Sequence, residues 1–190
     1  MKKDIILSGV GGQGILSIAT VIGQAALKDG LYMKQAEVHG MSQRGGSVVT
    51  YVRYGKKVYS PVIDKGEADV IISFEKLEAA RWLEFLKKDG TIITNTQEVE
   101  PMPVITGAAA YPENLIEKMQ AAGAKVDAKD FLSIAQEAGS AKAVNIALMG
   151  RLSTYFPEIS DEQWQDAIEK IVPPKFLDLN KKAFEAGRNA

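Results

Sequence analysis

The sequence predicts an α/β fold: a three-layer sandwich on a mainly parallel sheet, with an inserted β-hairpin and a helical C-terminal region. Three observations carry this. The apolar run Ile5–Leu7 feeds into Gly9-Val10-Gly11-Gly12-Gln13-Gly14, and then into Ile15, Leu16, Ile18, Ala19, Ile22 and Ala26 at helical spacing. Ala68-Asp69-Val70-Ile71-Ile72-Ser73 is the nearly unbroken apolar run of a strand covered on both faces. From Ala141 onward the periodicity is helical.

The elements follow in order. A strand over about residues 3–9, the glycine loop and a helix over about 14–29 form the first unit, and Gly30 stops that helix. A second strand lies near Lys34–Val38, followed by the polar loop His39–Gly46. Ser47–Tyr54 is β-branched and aromatic, Tyr54-Gly55-Lys56-Lys57 turns, and Val58–Val62 returns as the second arm of the hairpin. Tyr51, Tyr54 and Tyr59 then pack across strands. The Ala68–Ser73 strand leads to a helix from about Glu75 to Lys87, a turn at Asp89-Gly90 and a parallel strand at Thr91–Asn95. Pro101 and Pro103 mark an extended connector, with a strand at Val104–Thr106. Helices are expected over Glu113–Ala121, Ala128–Ala138, Ala141–Phe156, from the Ser160 N-cap to about Ile171, and over Leu177–Gly187.

Composition narrows the chemistry. With 190 residues the chain fits one domain with a real core, and 46% apolar against 25% charged residues excludes wholesale disorder. A net charge of -1 provides no broad positive field for nucleic acid. There is no cysteine, so the chain supplies no disulfide, no thiolate metal site and no all-cysteine cluster ligation. The single histidine, His39, leaves no histidine-rich metal site. The apolar run after Met1-Lys2-Lys3-Asp4 is too short for a signal peptide, and none reaches the roughly 20 apolar residues of a membrane span. The expected compartment is the cytoplasm.

Two loops carry the chemistry. Strand, glycine loop and helix form a Rossmann-like order, and Gly9-x-Gly11-x-x-Gly14 satisfies the dinucleotide fingerprint formally. The orphan N–H groups and the positive end of the helix dipole make an anion site; the bland reading is a tight turn needing small residues. Gln13 is able to reach a ligand or to brace the turn. Glu37 sits where a ribose-binding acid belongs, or is a solvated strand end. In the second loop Arg44 offers a planar fork for phosphate or carboxylate, Gly45-Gly46 admits close backbone approach, and His39 offers a ring able to donate or accept a proton; alternatively these groups are only solvated. Leaving the second strand, this loop belongs beside the first at the carboxyl edge of the sheet. Asn145, on an apolar helix face, reads as tying down backbone.

With both loops in view, the chain resembles the gamma-type subunits of the 2-oxoacid:ferredoxin oxidoreductases, most of all the beta subunits of the indolepyruvate branch. Gly9–Gly14 and Glu37-Val38-His39-Gly40-Met41-Ser42-Gln43-Arg44-Gly45-Gly46 carry the resemblance, with Ala68–Ile72, Phe74-Glu75, Asn95, Asn145, Leu148 and Gly150 adding to it. It implies one gamma-type catalytic domain over residues 1–190, with a helical cap over about 141–190. It also implies membership of a complex that oxidatively decarboxylates a 2-oxoacid to an acyl-CoA, with thiamine diphosphate and iron–sulfur clusters on a larger partner and ferredoxin receiving the electrons. The chain lacks a Gly-Asp-Gly run as well as cysteine, so none of these cofactors is expected on it alone. Its expected part is to complete the partner's cleft and help hold coenzyme A. The candidate contacts are Gly9, Gly11, Gly12, Gln13, Gly14, His39, Ser42, Gln43, Arg44, Gly45 and Gly46. No catalytic residue is assigned and no metal is expected. Two other readings stand beside it: a free dinucleotide-binding module using Gly9, Gly11, Gly14 and Glu37, and a purely architectural subunit with an empty crevice.

Overall fold

A computed structural model of the chain describes residues 2–27, 30–42 and 45–190. The strands are β1 (Lys2–Val10), β2 (Tyr32–His39), β3 (Ser47–Gly55), β4 (Ala68–Ser73), β5 (Leu86–Asn95) and β6 (Lys125–Lys129). They form one sheet in the order β2-β3-β1-β4-β5-β6. β1, β4, β5 and β6 are parallel, whereas β3 runs antiparallel to both β1 and β2. The helices are α1 (Ile15–Ala26), α2 (Lys76–Arg81), α3 (Met102–Ile105), α4 (Leu115–Ala121), α5 (Phe131–Glu137), α6 (Val144–Ser153), α7 (Asp161–Ile171) and α8 (Leu177–Arg188).

Alternation along the strands divides the apolar residues between two cores. Ile5 and Leu7 of β1, Val48, Val52 and Tyr54 of β3, and Ile72 of β4 face α1 and the helices α5–α8. Ile6, Val49, Tyr51, Ile71 and Ile92 face the other way, onto Ala79 of α2 and Met119 of α4. The result is the expected α/β sandwich. The N-cap at Ser160 is present as a full capping box with Gln163, so the first N–H groups of α7 are satisfied locally. Among the described residues no helix is long and apolar enough to cross a membrane.

Several expected elements are corrected. Val58–Val62 forms no strand, because both edges of β3 are already occupied, by β1 and β2. The hairpin arm that pairs with β3 is β2. Tyr59 is therefore 85% exposed, while Tyr51 and Tyr54 pack as expected. The helix from Glu75 stops at Arg81, and Leu86 already pairs with Ala68 in β5. The Asp89-Gly90 turn survives as an irregularity inside β5, with Asp89 at φ 69°. Val104–Thr106 forms no strand: Val104 and Ile105 belong to α3 and Thr106 ends it, since Pro101 and Pro103 sit at the start of a short turn closed by Thr106 N–H donating to the Met102 carbonyl at 2.9 Å. Lys125–Lys129 is an edge strand whose charged residues conceal it, and the next helix begins only at Phe131.

The helical layer depends on two glycines. Cβ atoms on Gly150 of α6 and Gly187 of α8 would overlap the Phe184 and Ala147 carbonyls, so the two helices touch backbone to backbone. Gly187→Ala is expected to destabilise the fold by about 1–3 kcal/mol through overpacking. Thermal or urea unfolding checks it; an unchanged midpoint would show that the helices separate without cost.

Candidate functional site

The site is built on backbone. After β1 the chain turns through Gly11–Gly14, and Gln13 holds the turn from inside: its Oε1 accepts the Val10 N–H at 2.7 Å. That side chain, with Phe74, fills the space where a Cβ on Gly9 would stand. Gln13 therefore braces the loop. Gly14 has left-handed backbone, φ 79°, and a Cβ there would lie 2.6 Å from Asn145 Nδ2. Asn145 fills this gap while its Oδ1 accepts the Ile146 N–H at 2.8 Å. No side chain caps α1, so its first-turn N–H groups lie open beside the loop.

The second loop lies against the first, as its place at the sheet edge predicts. The direct cause is the antiparallel β1–β3 ladder: Val10 pairs with Ser47, and Gly11 N–H donates to the Gly46 carbonyl at 2.9 Å. Gly45 N–H returns to the Gly11 carbonyl at 3.3 Å. Beside this seam Gly11, Gly12 and Gly14 line a cleft of about 400 Å³ with Leu16, Glu37 and His39. The His39 ring donates through Nδ1 to the Gly40 carbonyl at 2.9 Å. Ser42, Gly45 and Gly46 lie on the other side of the seam, lining a hollow of about 280 Å³ with Glu75, Glu78 and Arg81. Gln43 and Arg44 fall outside the described residues.

Glu37 does line the cleft, but not as the ribose-binding acid of a dinucleotide site. β3 separates β2 from β1, so Glu37 stands two strand spacings, about 10 Å, from the first strand. Its Oε2 accepts instead from Thr50 Oγ on β3, at 3.3 Å.

Sequence reasoning missed the buried acids behind the second loop. Glu75 caps α2 by accepting the Glu78 N–H, and its other oxygen accepts the Tyr111 hydroxyl at 2.8 Å. Glu78 Oε2 accepts the Ser47 hydroxyl at 2.5 Å, tying α2 to the first residue of β3, and Oε1 pairs with Arg81 at 3.2 Å. Burial pushes the Glu78 carboxyl above its ordinary range; Ser47 and Arg81 oppose this, and Glu75 adds to it. The spacing Glu75-x-x-Glu78 after an apolar strand was the legible signal, a cap followed by a first-turn acid. Cluster ligation does not fit this chain, which has no cysteine, and the described residues contain no group of three or more metal-ligating side chains.

The family model described as pyruvate ferredoxin/flavodoxin oxidoreductase matches residues 4–190. The indolepyruvate oxidoreductase subunit IorB of Thermococcus kodakarensis is 44% identical over 198 residues, spanning 100% of this chain and 96% of that protein. The crystal structure of pyruvate oxidoreductase subunit PORC from Thermotoga maritima superposes with a TM-score of 0.74 at 22% identity, covering 99% of this chain and 96% of that one. The 2-oxoglutarate:ferredoxin oxidoreductase from Magnetococcus marinus, with 2-oxoglutarate, coenzyme A and succinyl-CoA bound, matches at TM-score 0.74 and 21% identity. There the match covers 99% of this chain but 30% of that one.

Two outcomes test the site's construction. Gly14→Ala is expected to cost about 1–2 kcal/mol from its left-handed backbone alone, plus a further loss from the Asn145 contact. Only that further loss is expected to be recovered in an Asn145→Ala background, which a double-mutant cycle in urea measures. For Glu78, the folded state holds its proton to higher pH than the unfolded chain does. Stability contributed by this group therefore falls as pH rises from the ordinary glutamate range through the raised folded value. Glu78→Gln keeps an acceptor for Ser47 and is expected to flatten that slope; melting curves of parallel pH dependence would contradict it.

Proposed function

The chain belongs to the pyruvate ferredoxin/flavodoxin oxidoreductase family, and from that premise we propose that it works as the small, non-autonomous subunit of a 2-oxoacid:ferredoxin oxidoreductase of the indolepyruvate type. Residues 1–190 act in this reading as one gamma-type catalytic domain, in the cytoplasm. A larger partner holds thiamine diphosphate for the decarboxylation and iron–sulfur clusters for the electrons that pass to ferredoxin. The present chain binds, orients and encloses.

One observation carries the reading: the cleft beside the two paired glycine loops is walled by the uncapped N-terminus of α1. Bare N–H groups and the helix dipole, equivalent to roughly half a positive charge, suit a phosphate. Coenzyme A is the phosphorylated ligand proposed for it. Gly11, Gly12 and Gly14 would let the ligand approach the backbone, while Gln13 keeps the turn in shape from within. Arg44 is proposed to add a planar fork from the second loop, and His39, whose Nδ1 is engaged by the Gly40 carbonyl, lines the same cleft. The dinucleotide reading is not favoured, because the acid it requires is displaced by the width of β3.

In the assembled complex, Arg44→Ala is expected to weaken coenzyme A binding by about 10-fold or more, the effect of losing a charge-assisted hydrogen bond. An unchanged affinity removes Arg44 from this role. The isolated chain is expected to turn over no 2-oxoacid and to give no calorimetric binding heat with NAD(H) or NADP(H); either activity would overturn the proposal.

A further inference from the structure

Beyond the cleft, an apolar surface stands outside both cores of the described residues. The segment Met102-Pro103-Val104-Ile105-Thr106-Gly107-Ala108-Ala109-Ala110 has an apolar composition yet stands in solvent, with Met102 64% and Ile105 61% exposed. None of its residues belongs to either core. It is nevertheless a defined shape. Thr106, Gly107 and Ala109 N–H groups donate to the Met102, Val104 and Pro103 carbonyls at 2.9–3.0 Å. At its end the Tyr111 hydroxyl accepts the Leu77 N–H at 3.2 Å and donates to buried Glu75. An apolar knob held this firmly has already lost the conformational entropy that docking would otherwise cost.

Its location and surroundings narrow what it meets. The segment follows β5 and leaves the carboxyl edge of the sheet, where Met102 lines the hollow behind Ser42, Gly45 and Gly46. Met41, fully exposed in the second loop, and Val38, 55% exposed at the end of β2, are further apolar side chains open at the same carboxyl edge. Near the knob in sequence, Glu113 and Glu117 line a second hollow of about 320 Å³ together with the ion pair Lys76–Glu98, closed at 2.5 Å, and Glu100 is exposed close by in sequence.

Resting on the subunit reading above, we infer that the knob Met102–Ala110 and its acidic flank form the docking surface for the larger, cofactor-bearing subunit. The complementary patch on that subunit is an apolar depression rimmed by lysine or arginine. A second copy of this chain fits poorly: a two-fold contact through the knob would bring the Glu113 and Glu117 carboxylates of the two copies toward each other, and like charges face to face oppose association. In the Magnetococcus marinus protein the same fold is 30% of one longer chain, so there it has further polypeptide joined to it. Docking at this edge would seat the larger subunit against the second glycine loop, bringing its reaction centre to the cleft.

The test is binding of the full chain to the larger subunit, measured by sedimentation or interferometry with both proteins purified. The double variant Met102→Asp/Ile105→Asp is expected to weaken association at least about 30-fold, the effect of losing anchor residues at an interface. Its melting temperature is expected to stay near that of the unmodified chain, because neither side chain belongs to a core. Glu113→Lys/Glu117→Lys is expected to weaken association and reduce its salt dependence. If the unmodified chain binds and the Asp double variant binds equally well, the docking surface is wrong while the subunit reading stands. If the unmodified chain does not bind the larger subunit at all, the subunit reading itself falls. Self-association abolished by the Asp variant, with binding to the larger subunit intact, would assign the knob to a second copy and overturn the inference.

Discussion

The antiparallel insertion of β3 between β1 and β2 is the constraint on which the site depends. Had β2 paired directly with β1 in parallel, the loop after β2 would begin a strand spacing nearer, and Glu37 would stand beside the first strand, where a dinucleotide's ribose lies. Instead β3 enters beside the end of β1, and the ladder runs past Val10–Ser47 into Gly11 and Gly46. Two loops far apart in function-bearing sequence thereby become one hydrogen-bonded seam. The seam has different chemistry on its two sides, open helix N–H groups on one and buried carboxylates on the other.

This arrangement explains why so many residues at the site are small. Gly9 yields its space to Gln13 and Phe74, and Gly14 yields its own to Asn145. The bracing side chains Gln13, Asn145 and Glu78 point into backbone groups or into the start of β3, not into the cleft. Rigid support of this kind lets backbone dipoles act on a ligand with little reorganisation. It also suits a chain that supplies shape to chemistry performed elsewhere. On the far side, Tyr111 links the same buried acids to the base of the exposed knob, so the loop seam and the proposed docking surface share one anchor.

Legibility followed how local the cause was. Ser160 with Gln163 was readable because a cap is formed within four residues. The strand at Ala68–Ser73 was readable because burial on both faces writes itself as continuous apolar sequence. Lys125–Lys129 was not, since an edge strand with charges on it carries the composition of a loop. Val58–Val62 misled for the opposite reason: its β-branched residues match a hairpin arm, but no edge of β3 was vacant. Within the site, Gln13 was recognised as a residue of two possible roles, and only packing against the Gly9 position selected the brace.

By itself, then, the sequence determined the class of fold, the glycine loop opening onto a helix, the pairing of two loops at one sheet edge, and the family to which they point. Those properties rest on short-range periodicity, capping and backbone freedom, which a few consecutive residues encode. Tertiary structure alone decided the strand order, the distance of Glu37 from the first strand, the burial of Glu75 and Glu78, and the exposure of Met102 and Ile105. Each of these depends on which edges and faces other segments have already occupied, and occupancy is a property of the whole chain.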